Sequence, residues 1–151
     1  MGATDSVITD VLRAARDLHS SSEALFDAVA ERYGINRTDL RCLEIIEREG
    51  PLSPRQLGVL SNFSPAAVTK ILDRLEAADY VIRRPSRTDR RAQSVEVAAS
   101  YNEWRQVIWQ PVVTEVTAAL GSLPEVELRS LAATLHQLAE VNRGQAQNLP
   151  V

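Results

Sequence analysis

Apolar residues recur at intervals of three and four along much of the chain, which is the spacing of an amphipathic α-helix. The first such segment covers residues 7–32 and ends before Gly34, a residue type that commonly caps a helix C-terminus. A second segment covers residues 36–48 and is broken by Gly50 and Pro51. The pattern therefore predicts a long helix followed by a shorter one.

Two further helix starts follow in close succession. Ser53 and Pro54 supply an N-cap and a proline at the first helical position, and Gln56 completes a capping box. Ser64 and Pro65 repeat the cap and the proline. A short helix, a tight turn and a second helix form the order of elements in a helix-turn-helix.

The period of the pattern changes after Asp79. Residues 80–84 and 94–98 alternate between the two faces of an extended chain, which predicts two β-strands. A polar loop over residues 85–93 joins them. A helix-turn-helix followed by such a hairpin is a winged helix.

Two more helices are predicted in the C-terminal third. A capping box of Ser100 and Glu103 is expected to open a helix that continues to about Leu120. Another helix is expected over residues 124–143, and residues 144–151 are expected to fray. This last helix carries leucines at the spacing of a coiled-coil seam: Leu128, Leu131, Leu135 and Leu138.

These elements predict a mostly α fold with a small β-hairpin, namely a winged helix-turn-helix flanked by long N- and C-terminal helices. We assign residues 1–35 to an N-terminal dimerisation helix, 36–99 to the winged helix-turn-helix and 100–147 to C-terminal dimerisation helices, within one intertwined domain. The end helices carry apolar stripes that a monomer of 151 residues would struggle to cover, so we expect a homodimer.

Charge is distributed unevenly along the chain. The chain is 44% apolar and 25% charged, as in an ordinary soluble domain, and its net charge is −3. Residues 51–91, however, hold eight basic and four acidic side chains, a net charge of +4, which leaves −7 for the rest. A polyanion responds to this local field rather than to the total, so a nucleic acid is a candidate partner despite the acidic average.

Several classes of protein are excluded by missing sequence features. Cys42 is the only cysteine, so no intrachain disulfide is possible. The N-terminal residues lack the pattern of a secretory signal, and no apolar run approaches the roughly 18 residues of a membrane span. We therefore expect a cytoplasmic protein without membrane contact. We also expect no cofactor, no metal site and no enzymatic activity, because phosphate-loop, paired-histidine and nucleophile-elbow motifs are missing.

The second helix of the predicted helix-turn-helix has the residues to enter a DNA groove. Small side chains at its start let the backbone approach closely, and free N–H groups at a helix N-terminus favour phosphate. Lys70 and Arg74 are four residues apart and share a face, and arginine can form two hydrogen bonds to guanine. An amphipathic helix with solvated charges is the alternative. The opposite face is apolar: Val68, Ile71, Leu72 and Leu75.

The predicted hairpin favours the DNA-binding interpretation. Residues 83–91 contain five arginines against the single acid Asp89, and such crowding is unfavourable unless an anion neutralises it. Arginine suits the narrow minor groove of A·T-rich DNA, where the negative potential is enhanced. An ordinary solvated turn is the alternative.

Together these segments resemble the MarR family of bacterial transcription regulators. The resemblance rests on residues 57–60, on the run 68–76, and on the basic residues of 83–84 and 89–91. It implies a homodimer that binds a pseudo-palindromic operator in double-stranded DNA. By the habit of the family, it also implies a repressor released by a small-molecule effector, for example an aromatic acid.

The resemblance also implies roles for individual residues. It makes residues 64–78 the recognition helix and 80–98 the wing, in which Asp89 orients Arg91 into the minor groove. The expected DNA-binding residues are Ser53 and Arg55 at phosphates, Ser64, Pro65, Ala67, Thr69, Lys70 and Arg74 in the major groove, and Arg84, Arg87, Asp89, Arg90 and Arg91 in the wing.

The chain departs from the family pattern in two places. Asp79 stands where the family usually has glycine, so we expect Asp79 in a left-handed conformation. Val97 and Ala98 replace the usual Leu-Thr after the second strand, so we expect the following N-cap at Ser100 instead.

An effector site is the least determined part of the sequence. Arg16, Arg41, His19 and Trp104 are candidates to bind an aromatic acid, although solvated charges and core packing are the default roles of such residues. Cys42 could sense oxidants, but a buried thiol is inert. His19 could also bind a metal, but two distant histidines do not make a site.

A winged-helix module that has lost DNA binding and contacts another protein is the alternative function. Its discriminating feature is the wing, because a protein adaptor has no use for mutually repelling arginines.

Overall fold

The structure, a computed structural model, describes residues 2–86 and 93–149. It confirms the expected winged helix-turn-helix with flanking helices. In chain order the elements are α1 (Ala3–Tyr33), α2 (Arg37–Glu49), α3 (Pro54–Ser61), α4 (Pro65–Ala77), β1 (Val81–Pro85), β2 (Gln93–Val97), α5 (Ala99–Leu120) and α6 (Glu125–Gln147).

Local capping sets most of the helix starts in the winged helix. The Asn36 side chain accepts the N–H of Asp39 at the start of α2. Ser53 and Gln56 form the expected capping box at α3, and Ser64 caps α4. Each cap satisfies an N–H that has no partner within its helix, so these short segments specify where the helices begin.

The hairpin is tied to the helices through its second strand. β1 and β2 pair antiparallel, with Arg83 opposite Val95. Leu52, between α2 and α3, exchanges two backbone hydrogen bonds with Val95, at 3.1 and 2.8 Å. The base of the wing is therefore held against the helix-turn-helix.

The buried core lies between Val29 and Tyr101 among the described residues. Three leucines of the three-helix unit are fully buried: Leu43 of α2, Leu57 of α3 and Leu75 of α4. Tyr33, Tyr80 and Tyr101 pack their rings together, with centroids 5.5 to 6.0 Å apart. This cluster joins the end of α1, the start of the wing and the start of α5.

The junction between the wing and α5 differs from the sequence-based prediction. Ser100 is not an N-cap, because α5 already begins at Ala99. The strand leads directly into the helix, with the Ala98 N–H on the carbonyl of Tyr80, so no capping position remains at Ser100. The Ser100 hydroxyl instead donates to the backbone oxygen of Asp79 at 2.5 Å.

Two other local predictions have different outcomes. Asp79 adopts the expected left-handed conformation, with φ of 59°. The prediction that residues 144–151 fray is wrong in its first part, because α6 continues to Gln147. Its favourable backbone hydrogen bonds extend the helix past Gly144, and the Asn148 N–H closes on Gln145 at 3.0 Å.

By its backbone contacts the chain divides into two units, residues 1–106 and 107–151. The second unit consists of the remainder of α5, which continues through Pro111, and of α6. None of the residues of α6 is buried. No helix within residues 2–86 and 93–149 is long and apolar enough to cross a membrane.

Candidate nucleic-acid interface

Helix α4 separates an apolar face from an exposed face, as expected. Val68, Ile71, Leu72 and Leu75 are buried and pack the helix into the core of the winged helix. The exposed side chains at its start are Ser64, Pro65, Ala66, Thr69 and Lys70. Ala67, which the sequence placed among the groove residues, is half-buried, and exposed Ala66 was missed.

Both hydroxyl groups on this face bond to the helix backbone, Ser64 as an acceptor and Thr69 as a donor. The Ser64 oxygen accepts the N–H of Ala67 at 3.3 Å. The Thr69 hydroxyl donates to the carbonyl of Pro65 at 3.0 Å, the bond to the fourth preceding residue that threonine commonly makes in helices. The proton of Thr69 is thus already used.

Arg74 is held by a carboxylate that sequence reasoning did not identify. Its Nε and Nη2 donate to the two oxygens of Asp39, at 2.8 and 2.6 Å. These hydrogen bonds raise the pKa of Arg74. The Asp39 side chain is 2% exposed, whereas that of Arg74 is 49% exposed. A planar two-bond contact of this kind fixes geometry as well as charge, so it clamps α4 to the start of α2.

Asn36 completes this clamp. Its Nδ2 donates to Asp39 at 3.1 Å, while its oxygen accepts the Asp39 N–H at 2.8 Å. The signal available in the sequence was the Asn-x-x-Asp start of α2, a pattern that is typical of a helix N-cap. The sequence carried no signal that Arg74, 35 residues later, would meet the same carboxylate.

Acidic partners also occupy the two arginines of β1. Arg83 pairs with Asp73 at 2.5 Å and with Glu76 at 3.4 Å, and only 18% of its side chain is exposed. Arg84, an expected DNA contact, pairs with Glu96 of β2 at 3.0 Å but stays 66% exposed. Arg83 therefore fastens the wing to α4, and Arg84 keeps access to solvent.

Two of the expected DNA-binding cations have no ion-pair partner among the described residues. Lys70 lies on the exposed face of α4, and Arg55 lies in the first turn of α3, next to the capping residue Ser53. Their charges are available to phosphates or base edges. The wing residues expected to contact DNA, Arg87, Asp89, Arg90 and Arg91, lie outside the described residues.

An apolar cavity of about 500 Å³ lies between the starts of α3 and α4. Val59, whose side chain is 77% exposed, stands at its edge. The other lining residues are Pro54, Arg55, Gly58, Phe63, Pro65, Val68 and Thr69.

The four effector candidates do not line one cavity together. Arg41 lines a cavity of about 450 Å³ with its guanidinium 5.7 Å from the centre of the Phe63 ring. Arg16, His19 and Trp104 are exposed and do not line that cavity. The part of the chain that the structure describes holds no cluster of three or more His, Cys, Asp or Glu suited to a metal ion.

Burial determines the protonation state of the single cysteine, Cys42. Cys42 is fully buried, and this desolvation, together with the nearby Asp39 carboxylate, raises the pKa of its thiol from 9.0 to about 11. The thiol is therefore protonated at neutral pH.

Comparison with known proteins identifies a similar family. Residues 33–92, which include α2 to α4 and β1, match the sequence model of the MarR family. Over this segment the chain is similar to the MarR family. It is 25% identical over 134 residues to the HTH-type transcriptional regulator YcgE of Bacillus subtilis, across 89% of this chain and 87% of that protein.

Solved structures share this fold over most of their length. RV1404 from Mycobacterium tuberculosis superposes with a TM-score of 0.65 at 23% identity, across 94% of this chain and 95% of RV1404. MarR from E. coli in its apo form gives a TM-score of 0.59 at 20% identity, across 83% and 93% of the two chains. Together with the family match and the curated relative, these structures support a transcriptional regulator of the MarR type.

Proposed function

We propose that this MarR-type regulator acts as a homodimer that binds a pseudo-palindromic operator and represses transcription by occupying a promoter. The observation that carries this proposal is the exposed start of α4, where Lys70 lies beside small side chains and has no ion-pair partner among the described residues. Two recognition helices related by a two-fold axis would read half-sites about one helical turn, ~10 base pairs, apart. The wings would extend each contact into the adjacent minor groove.

The apolar residues left exposed on the end helices support a dimer. In α1 these include Val7, Ile8, Val11 and Leu12, and in α6 the seam from Leu131 to Leu138 is 36% to 47% exposed. Large exposed apolar surfaces on a small protein mark an interface, and a second copy supplies the same chemistry.

We further propose that a small-molecule effector releases the operator by changing the spacing of the two recognition helices. The cavity that contains Arg41 is a candidate site, because it combines two phenylalanine rings with two guanidinium groups. Arg37 is the other guanidinium, and it already pairs with Glu23 and Asp27, at 3.1 and 3.2 Å. Arg41 is therefore the residue assigned to a ligand carboxylate.

A direct test uses the fact that Lys70 is the only lysine in the chain. An amine-reactive ester should label Lys70 and the N-terminal amine of the free protein, as measured by mass spectrometry. A duplex recovered by selection from genomic fragments should slow the labelling of Lys70 and leave that of the N-terminal amine unchanged. Equal labelling of Lys70 with and without the duplex would show that the recognition helix does not contact the DNA.

The salt dependence of binding separates the regulator from a protein adaptor. Affinity for the selected duplex should fall steeply between ~50 and ~200 mM salt, because several phosphates release counterions. A flat response, or no selected sequence at all, would instead favour the alternative of a winged-helix module that contacts another protein.

A further inference from the structure

We propose that the start of α4 recognises thymine through its C5-methyl group, with Thr69 and Ala66 as the residues that determine this specificity. The inference rests on the proposed operator binding and names the base chemistry that the same helix selects. It concerns which atoms of the exposed face remain available once the internal contacts of α4 are formed.

The first observation is the orientation of the Thr69 hydroxyl. Its single proton is donated to the carbonyl of Pro65 at 3.0 Å, so Thr69 has no proton to give to a base. The oxygens and N7 atoms that bases display in the major groove are acceptors that require a donor. The Thr69 oxygen keeps lone pairs that can accept from the amino group of adenine or cytosine, but thymine shows only an acceptor and a methyl group in the major groove. Towards thymine, the methyl group of this exposed side chain is therefore the part that makes a favourable contact.

The second observation is the hydrocarbon around Thr69. Pro65 and Ala66 are exposed on the same helix and carry no polar side-chain atom. Thr69 also lines the apolar cavity with Val59 and Phe63. A thymine methyl presented to this surface leaves water for an apolar environment, whereas the amino group of cytosine or adenine would lose hydrogen bonds there.

The third observation is the scarcity of hydrogen-bond donors on α4. Arg74 donates through Nε and Nη2 to Asp39, so only the N–H groups at the outer end of its guanidinium remain for a base. Lys70 is the one cation of α4 that has no ion-pair partner among the described residues. We therefore expect half-sites in which thymines face the start of α4 and one purine acceptor or phosphate faces Lys70.

The test replaces single thymines by deoxyuridine in a duplex recovered by selection with the full-length protein. This exchange removes one methyl group and keeps every hydrogen-bonding atom of the base pair. Replacing a contacted thymine should lower the affinity of the protein for the duplex about fourfold, the equivalent of ~0.8 kcal/mol for one buried carbon. The affinity is measured by fluorescence anisotropy.

Two substitutions separate the contribution of the Thr69 methyl group from that of its hydroxyl group. Thr69→Val keeps a methyl group and should bind the thymine duplex within about twofold of the unchanged protein. Thr69→Ser keeps the hydroxyl and should lose about fourfold on the thymine duplex, with little further loss on the deoxyuridine duplex. Thr9→Ser is the matched control, since Thr9 makes the same backbone bond in α1 at 2.8 Å.

The possible outcomes are distinguishable. If the selected duplex binds and no deoxyuridine position weakens it, the thymine-methyl inference is overturned while operator binding stands. If Thr69→Val weakens binding as much as Thr69→Ser, the hydroxyl is the recognition group and the inference is again overturned. If no duplex is selected, the proposed function itself fails, and the inference fails with it.

Discussion

The winged helix and the long end helices use their apolar residues in opposite ways. Within the winged helix, leucines such as Leu43, Leu57 and Leu75 are fully buried by the same chain. In α6, Leu131 and Leu135 are 38% and 47% exposed, and no residue of that helix is buried. Apolar spacing alone does not distinguish the two cases, since both regions show the helical period.

The two regions also differ in charge and in what their charges contact. Residues 51–91 carry +4 and the remainder −7. Several cations of the basic region are engaged in clamps across elements, as in Arg74 with Asp39 and Arg83 with Asp73. The pairs in α6 are local, as in Arg129 with Glu125. The winged helix is thus stabilised by contacts within the same chain, whereas the end helices leave apolar surfaces exposed.

The largest expected effect comes from placing charge on the exposed seam of α6. Leu131→Glu with Leu135→Glu should convert the proposed dimer to a monomer in sedimentation experiments, because two carboxylates cannot be buried in an apolar interface. Operator affinity should fall ~100-fold or more, since the two recognition helices no longer bind as a linked pair. Gln137→Glu adds one charge off the seam and should stay dimeric. A dimeric double variant would show that α6 does not form the interface.

The next effect tests whether the winged helix depends on its internal clamp. Arg74→Ala leaves the buried Asp39 carboxylate without its partner and should lower the free energy of unfolding by ~2 kcal/mol, a value that allows for the partial exposure of Arg74. Lys70→Ala, which removes an unpaired exposed cation, should change stability by less than ~0.5 kcal/mol. Urea denaturation measures both.

The same pair of variants sharpens the assignment of base contacts. If Arg74 also contacts a base edge in the operator, Arg74→Ala should reduce discrimination between sequences by ~1–3 kcal/mol. A uniform loss across sequences would make Arg74 a phosphate contact. Unchanged stability with lost discrimination would mean that the clamp with Asp39 contributes little to folding.

A smaller effect is expected in the wing. Arg91→Ala should weaken operator binding ~10-fold and leave the proposed dimer and the thermal midpoint unchanged, because it removes one expected charged contact to DNA. Arg129→Ala removes an equal charge from α6 and serves as the control, with no expected change in affinity. Equal affinities of the unchanged protein and the Arg91→Ala variant would show that the wing assignment is wrong.

The effect that should be smallest at neutral pH concerns Cys42. Burial raises its pKa to about 11, so between pH 9 and 11 the unfolded chain loses a proton that the folded chain keeps. Stability attributable to this thiol should therefore be constant below pH 9 and decline by at most ~1.4 kcal/mol per pH unit above it. Cys42→Ala should remove that decline in urea titrations. An aromatic disulfide reagent that reacts rapidly with the folded protein at pH 7 would contradict the buried, protonated state.

Local signals in the sequence predicted much of the winged helix correctly. The caps at Ser53 and Ser64 and the buried face of α4 follow from residues close together in the chain, because each feature depends on one turn or one helical period. The left-handed Asp79 was implied by the resemblance to the family. Ser100 shows the limit of this reasoning. Ser100 and Glu103 have the residue types of a capping box. However, the Ala98 N–H donates to the carbonyl of Tyr80 and α5 begins at Ala99, so Ser100 lies inside the helix and not at its N-cap.

By itself the sequence determined the order of elements, their buried faces and the basic segment, since these depend on residue type and spacing. Only the tertiary structure decided which cations are free. Arg74 and Lys70 share the same helix and the same charge, yet the packing of α4 beside α2 brings Arg74 to buried Asp39 and leaves Lys70 without an ion-pair partner in the part of the chain that the structure describes. That difference arises because an ion pair requires two atoms within a few ångströms, and the distance between residues 35 apart is set by how helices pack.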